Sequence, residues 1–298
     1  MSQMKILLLG KGGQVGWELQ RSLAPLGEVM ALDHDDGGSF TDPAGLLARV
    51  QAYAPQVIVN AAAHTAVDKA ESEPDLVRQI NASTPTLVAI EAARLGALLV
   101  HYSTDYVFDG SGSTPRHEDA PINPLSVYGA TKAEGEDGIR ASGCHHLILR
   151  TSWVYAARGG NFAKTMLRLA QEREHLTVIN DQWGAPTGAD LLADVTAHAL
   201  RQLQARPQDG GLYHCAAAGE TTWHSYAKYV IDQASQAQKA IQIRAKEISP
   251  VPTSAFPTPA WRPLNSRLNT SRLQATFGLT LPPWQHGVAR MLEEVGKW

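Results

Sequence analysis

The chain has few cysteines and no long apolar run, and each shortage excludes a class of protein. Its 298 residues include two cysteines, Cys144 and Cys215, which are not spaced as a CxxC pair. A secreted domain held together by disulfides is therefore excluded, and we expect two reduced, buried thiols in a cytoplasmic protein. No stretch approaches the ~18 apolar residues of a membrane span, and the apolar run at residues 6–9 is too short for a signal peptide. We expect no membrane partner.

The chain also lacks a run of basic residues. Lys and Arg total 26 against 29 Asp and Glu, which gives a formal net charge of -3 at pH 7. Nothing here could neutralise a row of phosphates, so nucleic acid is not an expected partner. With 44% hydrophobic and 18% charged residues, the composition is typical of a globular protein of one large or two ordinary domains.

Short apolar runs alternate along the chain with segments of helical period. The runs predict strands at residues 5–9, 28–33, 56–61, 97–103, 146–151 and 176–180. The intervening periodicity predicts helices near residues 14–26, 43–53, 74–95, 125–141, 161–172 and 187–204. This alternation favours an α/β fold with a doubly wound parallel sheet, and the unbroken apolar strands are typical of a sheet covered by helices on both faces.

The regularity weakens after about residue 150. The proline-rich segment from Pro250 to Pro263 can be neither helix nor central strand, so it must be a loop or an edge strand. We expect residues 1–150 to form one domain. Residues 151–298 would mainly form a smaller, interleaved part that binds substrate, with later segments returning to the first domain.

Three glycines follow the first predicted strand directly. Gly10, Gly13 and Gly16 form a G-x-x-G-x-x-G pattern at the entry of the first helix. Such glycines allow a tight turn and a close backbone approach to pyrophosphate, which then faces the N–H groups of the helix N-terminus. A glycine-rich turn without a ligand is the alternative, but the strand and helix that the motif needs are both predicted. The pattern therefore indicates a Rossmann-like dinucleotide-binding domain.

An acidic residue ends the second predicted strand. Asp33 lies 17 residues beyond Gly16, close to where a carboxylate accepts hydrogen bonds from the adenosine ribose. Such a carboxylate repels a 2′-phosphate, so it favours NADH, while NADPH stays usable with a nearby cation such as Arg21. An ordinary turn residue is an equally good interpretation of Asp33.

A phenol and an ammonium group lie four residues apart at the start of a predicted helix. Tyr128 and Lys132 therefore share one face of that helix. A nearby cation makes a tyrosine a better acid at neutral pH, so this pair can move a proton. A solvated helix face is the alternative, but Thr104 ends the preceding strand at the sheet edge where ligands bind, and its hydroxyl could hold the reacting oxygen.

With these residues in place, the sequence resembles the extended short-chain dehydrogenase/reductases that act on nucleotide sugars. Within that family it is most similar to the branch that reduces dTDP-4-dehydro-L-rhamnose to dTDP-L-rhamnose at C4. The similarity covers nearly the whole chain. It lies in Gly10–Leu19, Asn60–Glu71, Ser103–Gly110, Tyr128–Lys132, Arg150–Tyr155, Asn161–Ala163, Asp181–Thr187 and Arg262–Pro263.

The resemblance implies a set of site residues and an NADPH or NADH cofactor. The implied catalytic residues are Thr104, Tyr128 and Lys132. The implied cofactor contacts are Gly10, Gly13, Gln14, Val15, Gly16, Asp33, Ala63, His64, Thr65, Tyr102, Tyr128 and Lys132. The implied contacts to the nucleotide sugar are Thr104, Asp105, Tyr106, Trp153, Asn161 and Arg262. For Tyr106 and Trp153, an ordinary core position is the alternative.

Other outcomes stay open at this stage. Sugar-nucleotide dehydratases carry a second carboxylate after the active-site Asp, and here Tyr106 follows Asp105, which argues against dehydration. The resemblance also implies assistance by Mg²⁺, with acidic residues such as Glu18, Asp190 and Glu294, although their spacing makes no metal site. A reductase or epimerase of another 4-keto-6-deoxy sugar is an alternative, as is a non-catalytic subunit like the regulatory subunit of methionine adenosyltransferase. A homodimer is compatible with the sequence.

Overall fold

The chain is described by a computed structural model that covers residues 3–236 and 242–296. Its strands are β1 (Lys5–Leu9), β2 (Glu28–Leu32), β3 (Val57–Asn60), β4 (Leu98–Thr104), β5 (His145–Thr151), β6 (Val154–Tyr155), β7 (His175–Ile179), β8 (Trp183–Gly184), β9 (Thr187–Gly188), β10 (Gly211–His214), β11 (Thr221–Thr222) and β12 (Glu247–Val251). Its α-helices are α1 (Gln14–Leu23), α2 (Pro43–Tyr53), α3 (Val67–Ala70), α4 (Pro74–Arg78), α5 (Thr84–Leu95), α6 (Val127–Ala141), α7 (Phe162–Glu172), α8 (Ala189–Ala205), α9 (Trp223–Gln236), α10 (Ser271–Phe277) and α11 (Trp284–Val295).

Six parallel strands form the central sheet in the order β2-β1-β3-β4-β5-β10. The chain moves outward from β1 to β2 and then crosses to β3 on the other side. Between β1 and β3 the sheet therefore has a topological switch point, where a crevice opens at the carboxyl ends of the strands. The predicted doubly wound α/β class is confirmed.

Helices cover both faces of this sheet, because alternate residues of each strand point to opposite sides. On β1, Ile6 and Leu8 pack with α1 and α8, while Leu7 and Leu9 pack with α2 and α5. All four side chains are fully buried. This two-sided burial explains why the strand reads as an unbroken apolar run.

The prediction that residues 176–180 form the sixth strand of the central sheet is wrong. The corresponding strand, β7, pairs with β12 in a separate two-stranded sheet, and the sixth sheet position is occupied by β10. Leu176 and Val178 are buried while His175 and Thr177 are exposed. That alternation marks a strand with one buried face, in contrast to the central strands.

The predicted helix at residues 74–95 is interrupted. A π-helical segment at residues 79–83 separates α4 from α5. Within it, the side chain of Asn81 accepts a hydrogen bond from the N–H of His64 (2.8 Å) and donates one to the carbonyl of His64 (3.1 Å). The interruption thus holds the loop that follows β3, and such π segments are frequent at functional sites.

The second half of the chain surrounds the carboxyl edge of the sheet with small sheets and aromatic helices. The pairs β7–β12, β8–β11 and β6–β9 form three two-stranded sheets. Pro250 lies in β12, an edge strand as the proline-rich composition requires. The strand β10, which comes from the second half of the chain, pairs with β5 in the central sheet, so the two halves are interleaved. Cys144 and Cys215 are buried free thiols, and no helix of the described residues is long and apolar enough to cross a membrane.

Candidate active site

The glycine pattern forms a tight turn between β1 and α1. Gly10 has a φ of 82°, in the left-handed region that favours glycine. A Cβ at Gly16 would lie 1.9 Å from the carbonyl oxygen of Gly10, so no larger residue fits there. Gly13 is the N-cap residue of α1 and offers no side chain to cap the helix. The N–H groups of the first helical turn are therefore suited to an anion such as pyrophosphate.

A cavity of about 450 Å³, which we call the catalytic cavity, lies at the switch point beside this turn. Its lining combines the glycine turn, the loop after β3 and the carboxyl ends of β4 and β5. Eight of the predicted cofactor residues line it: Gly13, Gln14, Val15, Ala63, Thr65, Tyr102, Tyr128 and Lys132. The other four do not: Gly10, Gly16, Asp33 and His64.

Asp33 holds the glycine turn. Its carboxylate accepts hydrogen bonds from the N–H groups of Gly12 (3.0 Å) and His34 (3.1 Å), and it caps a short 3₁₀ helix at residues 34–36. Lys11 in the turn forms an ion pair with Asp36 of that helix. The carboxylate remains partly exposed. Asp33 is thus a turn residue, as one interpretation predicted, with a solvent-facing side that could also meet a ribose.

Thr104, Tyr128 and Lys132 line the catalytic cavity together, and we call these three residues the polar wall. Burial raises the pKa of the Tyr128 phenol to about 12, and a hydrogen bond with Thr104 lowers it. Burial lowers the pKa of Lys132 to about 8, while nearby Glu136 raises it. The Tyr128 phenol and the Thr104 hydroxyl therefore line one cavity together with an amine whose pKa is lowered.

Lys132 is held by two partners on β4. Its Nζ lies 2.6 Å from the carbonyl oxygen of Tyr102 and 3.0 Å from Nε2 of His101. The other ring nitrogen of His101, Nδ1, lies 3.0 Å from Nδ2 of Asn60 at the end of β3. Lys132 and His101 are 2% and 1% exposed, so these contacts are shielded from water. Our sequence interpretation missed Asn60 and His101, although a histidine within an apolar buried strand is a usable signal.

A buried ion pair supports the polar wall from behind. Arg150 on β5 donates two hydrogen bonds to Glu136 on α6, at 2.8 and 2.6 Å. Ser103 donates a third to the same carboxylate at 2.5 Å. Both charged side chains are essentially inaccessible to solvent. Because the pair connects α6 to the sheet, it fixes the helix that carries Tyr128 and Lys132.

Asp105 lines the catalytic cavity and has one buried carboxylate oxygen without a hydrogen-bond partner. Its Oδ1 accepts a hydrogen bond from Thr104 at 3.2 Å, whereas Oδ2 is buried without a partner. The hydroxyls of Thr151 and Ser152, which line the same cavity, are also buried without a partner. Burial raises the pKa of Asp105 to about 6. Three unsatisfied polar groups in one cavity suit a ligand rich in hydroxyls.

A second cavity of about 300 Å³, which we call the aromatic cavity, adjoins the first. Tyr106, Trp153 and Trp223 line both cavities. The rings of Trp153 and Trp223 stack with centroids 3.6 Å apart, and Phe162 packs on Trp223 at 4.5 Å. We call Trp153, Phe162 and Trp223 the aromatic wall. Trp223 was missed by sequence reasoning, because nothing near it in the chain marks it.

The backbone of Trp153 is strained. Its φ is 50°, in a region that residues other than glycine rarely adopt. The ring also lies so close to Gly184 that a Cβ there would sit 2.7 Å from it. Such strain persists only where the surroundings determine it, and it concentrates at functional sites.

The remaining predicted substrate residues differ in position. Tyr106 and Arg262 line the aromatic cavity, and Arg262 forms a two-bond ion pair with Asp68 at 2.7 and 3.1 Å. Asn161 lines neither cavity. Its side chain caps α7 by accepting a hydrogen bond from Lys164 (3.1 Å) and donates one to the carbonyl of Ala156 (2.6 Å). The structure therefore does not bring Asn161 to the lining with the others.

The acidic residues considered for magnesium do not form a site. Arg21 pairs with Glu18, and Arg290 pairs with both Asp190 and Glu294, at 3.3–3.4 Å. Within residues 3–236 and 242–296, no group of three or more His, Cys, Asp or Glu side chains is arranged to hold a metal. The acidic residues that the structure describes therefore do not fit a magnesium ion.

Comparison with known proteins gives one consistent result. Residues 4–297 match the model of the family described as RmlD substrate binding domain. A dTDP-4-dehydrorhamnose reductase of Shigella flexneri is 57% identical over 295 residues, which cover 98% of each chain. A crystal structure of a dTDP-4-dehydrorhamnose reductase of Clostridium acetobutylicum superposes with a TM-score of 0.88 at 35% identity, over 98% of this chain and 99% of that one. Another, from Bacillus anthracis in complex with NADP, also has a TM-score of 0.88, at 32% identity over 99% and 100% of the two chains.

Proposed function

The chain belongs to the RmlD substrate binding domain family, and on that premise we propose that it reduces dTDP-4-dehydrorhamnose with a nicotinamide cofactor. The product is dTDP-L-rhamnose, so the enzyme serves dTDP-rhamnose biosynthesis. The observation that supports this most is the polar wall. Thr104, Tyr128 and Lys132 are all present and face one cavity beside a glycine turn.

The cofactor fits the glycine turn. Gly16 allows α1 to pack against the carbonyl of Gly10, and the uncapped first turn of α1 offers N–H groups to a pyrophosphate. We assign Gly13, Gln14 and Val15 to the pyrophosphate and Asp33 to the adenosine ribose. Ala63, Thr65, Tyr102, Tyr128 and Lys132 would hold the nicotinamide half, while Gly10, Gly16 and His64 shape the backbone around it. When bound, the reduced nicotinamide supplies a hydride to C4 of the sugar.

The polar wall handles the proton. The Thr104 hydroxyl holds the C4 oxygen of the keto sugar, and the Tyr128 phenol donates its proton to that oxygen as negative charge develops there. Lys132, when charged, stabilises the Tyr128 phenolate that remains. Burial excludes water from these groups, which strengthens each electrostatic interaction.

The aromatic cavity receives the rest of the substrate. Its rings offer apolar faces for the 6-deoxy methyl group and the thymine base, while Arg262 supplies a positive charge near the diphosphate. The unpaired groups of Asp105, Thr151 and Ser152 face the sugar hydroxyls. Asn161 affects this site only indirectly, because its side chain caps α7 and so holds that helix in position. The free thiols and the nicotinamide chemistry favour a cytoplasmic location.

A deuterium-transfer experiment tests the proposal. The protein is incubated with dTDP-4-dehydro-L-rhamnose and NADPH that carries deuterium at the transferable position of C4, and the product is examined by NMR. We expect deuterium at C4 of a sugar with the rhamno configuration, together with loss of the nicotinamide absorbance. The opposite configuration at C4 would show that the hydride reaches the other face of the same keto sugar, which would contradict dTDP-L-rhamnose as the product. No consumption of NADPH or NADH would favour the non-catalytic alternative.

A further inference from the structure

The hydrogen bonds that lead from β3 to Lys132 have a fixed direction. The N–H of Ala62 donates to Oδ1 of Asn60 at 3.0 Å. A backbone N–H can only donate, so the carboxamide of Asn60 must point its oxygen to Ala62 and its NH₂ group to His101. That NH₂ group lies 3.0 Å from Nδ1 of the ring, and Nδ1 therefore accepts.

The direction determines the tautomer of His101. A neutral imidazole carries one proton, and with Nδ1 accepting from Asn60 that proton must be on Nε2. Burial keeps the pKa of His101 well below its usual value, and Lys132 lowers it further whenever the lysine is charged, so the ring is neutral. Nε2 lies 3.0 Å from Nζ of Lys132. The Nε2–H group thus points at the lysine nitrogen.

Only an uncharged amine can accept this bond. An ammonium group has three N–H donors and no lone pair, so it would oppose the His101 N–H. A neutral amine accepts from His101 through its lone pair, donates to the carbonyl of Tyr102, and keeps one N–H for the cavity. The other groups near Lys132 are Glu136 with its partner Arg150, and the cavity residues Tyr128 and Asp105. Of these, the carboxylate of Glu136 favours the ammonium form of Lys132 and so opposes the effect of the His101 N–H.

We propose that Asn60 and His101 form a directed hydrogen-bond chain that stabilises the neutral amine of Lys132 over its ammonium form, which makes His101 a positioning residue for the reaction. Its catalytic meaning rests on the proposed function. The Lys132 ammonium gives a proton to the Tyr128 phenolate left after reduction, and the resulting amine is stabilised by the His101 bond until it regains a proton from water. The hydrogen bonds from Asn60 and His101 therefore favour the half of this proton cycle in which Lys132 gives up its proton.

The tautomer of His101 gives the first test, in the protein without cofactor or sugar. The chain contains 11 histidines, so the His101 signals are identified by their loss in His101→Gln. We expect the ¹⁵N-resolved NMR spectrum to show the proton on Nε2 and none on Nδ1. A proton on Nδ1 would overturn the proposal. This readout is independent of whether the protein reduces the proposed sugar.

Two variants give the second test. Asn60→Asp offers an acceptor to both Ala62 and Nδ1 of His101, so the ring proton should move to Nδ1 and Nε2 should accept from the Lys132 ammonium. His101→Gln can turn its carboxamide oxygen to Lys132 without adding charge. In both we expect the pKa of Lys132 to rise by about one unit or more, a tenfold gain in proton affinity, since a hydrogen bond to a charged group is worth that much.

The Lys132 titration is followed by the chemical shift of its ¹³C-labelled ε carbon, assigned by loss of the signal in Lys132→Arg. The alkaline limb of the kcat/KM profile should move to higher pH with it. If the pKa of Lys132 rises in Asn60→Asp but not in His101→Gln, the rise reflects only the added negative charge. That result would contradict the proposed hydrogen-bond chain. An unchanged Lys132 pKa in folded variants, as judged by circular dichroism, would contradict it too. If neither variant folds, the tautomer of the wild type decides, with the His101 ring signals assigned by through-bond correlation to the backbone signals of His101.

Discussion

The polar wall is held by directed hydrogen bonds, whereas the aromatic wall is held mainly by ring stacking, with one hydrogen bond from Nε1 of Trp223 to Gln182 at 3.0 Å. Lys132 has partners at 2.6 and 3.0 Å, each with a required donor and acceptor. Trp153 and Trp223 meet through parallel faces 3.6 Å apart, with no such requirement. Directed bonds determine protonation and reactive geometry, while stacked rings provide an adaptable apolar surface. The difference assigns chemistry to the first wall and recognition to the second.

The largest effect is expected on the polar wall. Tyr128→Phe removes the proton donor while keeping the ring, and it should lower kcat on the order of 10²–10⁴-fold, the usual range for general acid catalysis. Affinity for NADPH, measured by calorimetry, should stay near the wild-type value. Tyr213→Phe is the matched control, because that phenol is buried and donates to the carbonyl of Asp209 away from the cavities. Near-normal turnover of Tyr128→Phe would remove Tyr128 from the mechanism.

A smaller effect of another kind is expected on the aromatic wall. Trp153→Ala should lower kcat/KM for the keto sugar by about 2–4 kcal/mol of transition-state binding, as large-to-small aromatic replacements do. Cofactor affinity in the absence of sugar should not change. Trp261→Ala is the control, since that ring is 77% exposed and lines neither cavity. If Trp153→Ala instead loses NADPH binding and thermal stability together, Trp153 is a core residue.

Asp105 lies between the two walls and should show a trade-off between stability and function. Its raised pKa means that the folded state keeps the proton up to about pH 6, while the unfolded state loses it near pH 4. Wild-type stability therefore falls as the pH rises from about 4 to 6, by about 3 kcal/mol. Asp105→Asn removes this loss.

The Asp105→Asn variant should accordingly be more stable than wild type above pH 6 and equal to it near pH 4. Denaturant unfolding at several pH values measures the difference. The affinity of the variant for the keto sugar should fall, because an amide replaces the carboxylate of a residue that lines the catalytic cavity. A stability difference that does not depend on pH would contradict a buried Asp105 carboxyl with a raised pKa.

The smallest expected effect concerns the cofactor turn. Asp33→Asn keeps one acceptor oxygen, for the N–H of either Gly12 or His34, and removes the negative charge near a 2′-phosphate. The ratio of kcat/KM for NADPH over NADH should rise by about tenfold, a modest charge effect at a partly exposed site. Asp33→Ala removes the acceptor as well and should also cost about 1 kcal/mol of stability. An unchanged ratio in both variants would leave Asp33 as a turn residue only.

The polar wall could be predicted from the sequence, but most of the aromatic wall could not. Tyr128 and Lys132 are four residues apart on one helix, and Thr104 ends a strand at a known edge, so local spacing determines their meeting. Trp223 meets Trp153 from 70 residues away, through packing of α9 that no local pattern specifies. The same limit explains why β10 was not predicted. Its four residues include Gly211 and His214 and lack an apolar run.

The directed chain behind Lys132 was also beyond sequence reasoning. Asn60 ends β3 and His101 lies within β4, and only the parallel register of these strands brings them side by side. The π-helical segment between α4 and α5 could not be predicted for the same reason. Its Asn81 side chain forms hydrogen bonds with the backbone of His64, in a loop that is distant in sequence. Functional contacts that join two strands or a helix and a loop need the tertiary structure.

Single-turnover kinetics test the division between the two walls most directly. Enzyme loaded with NADPH is mixed with increasing dTDP-4-dehydro-L-rhamnose, and the fit gives both the limiting rate of nicotinamide oxidation and the Kd of the sugar. We predict that Tyr128→Phe lowers the limiting rate with Kd unchanged, and that Trp153→Ala raises Kd with a limiting rate close to wild type. If both variants lower the limiting rate and leave Kd unchanged, or both change only Kd, the two walls do not divide chemistry from recognition.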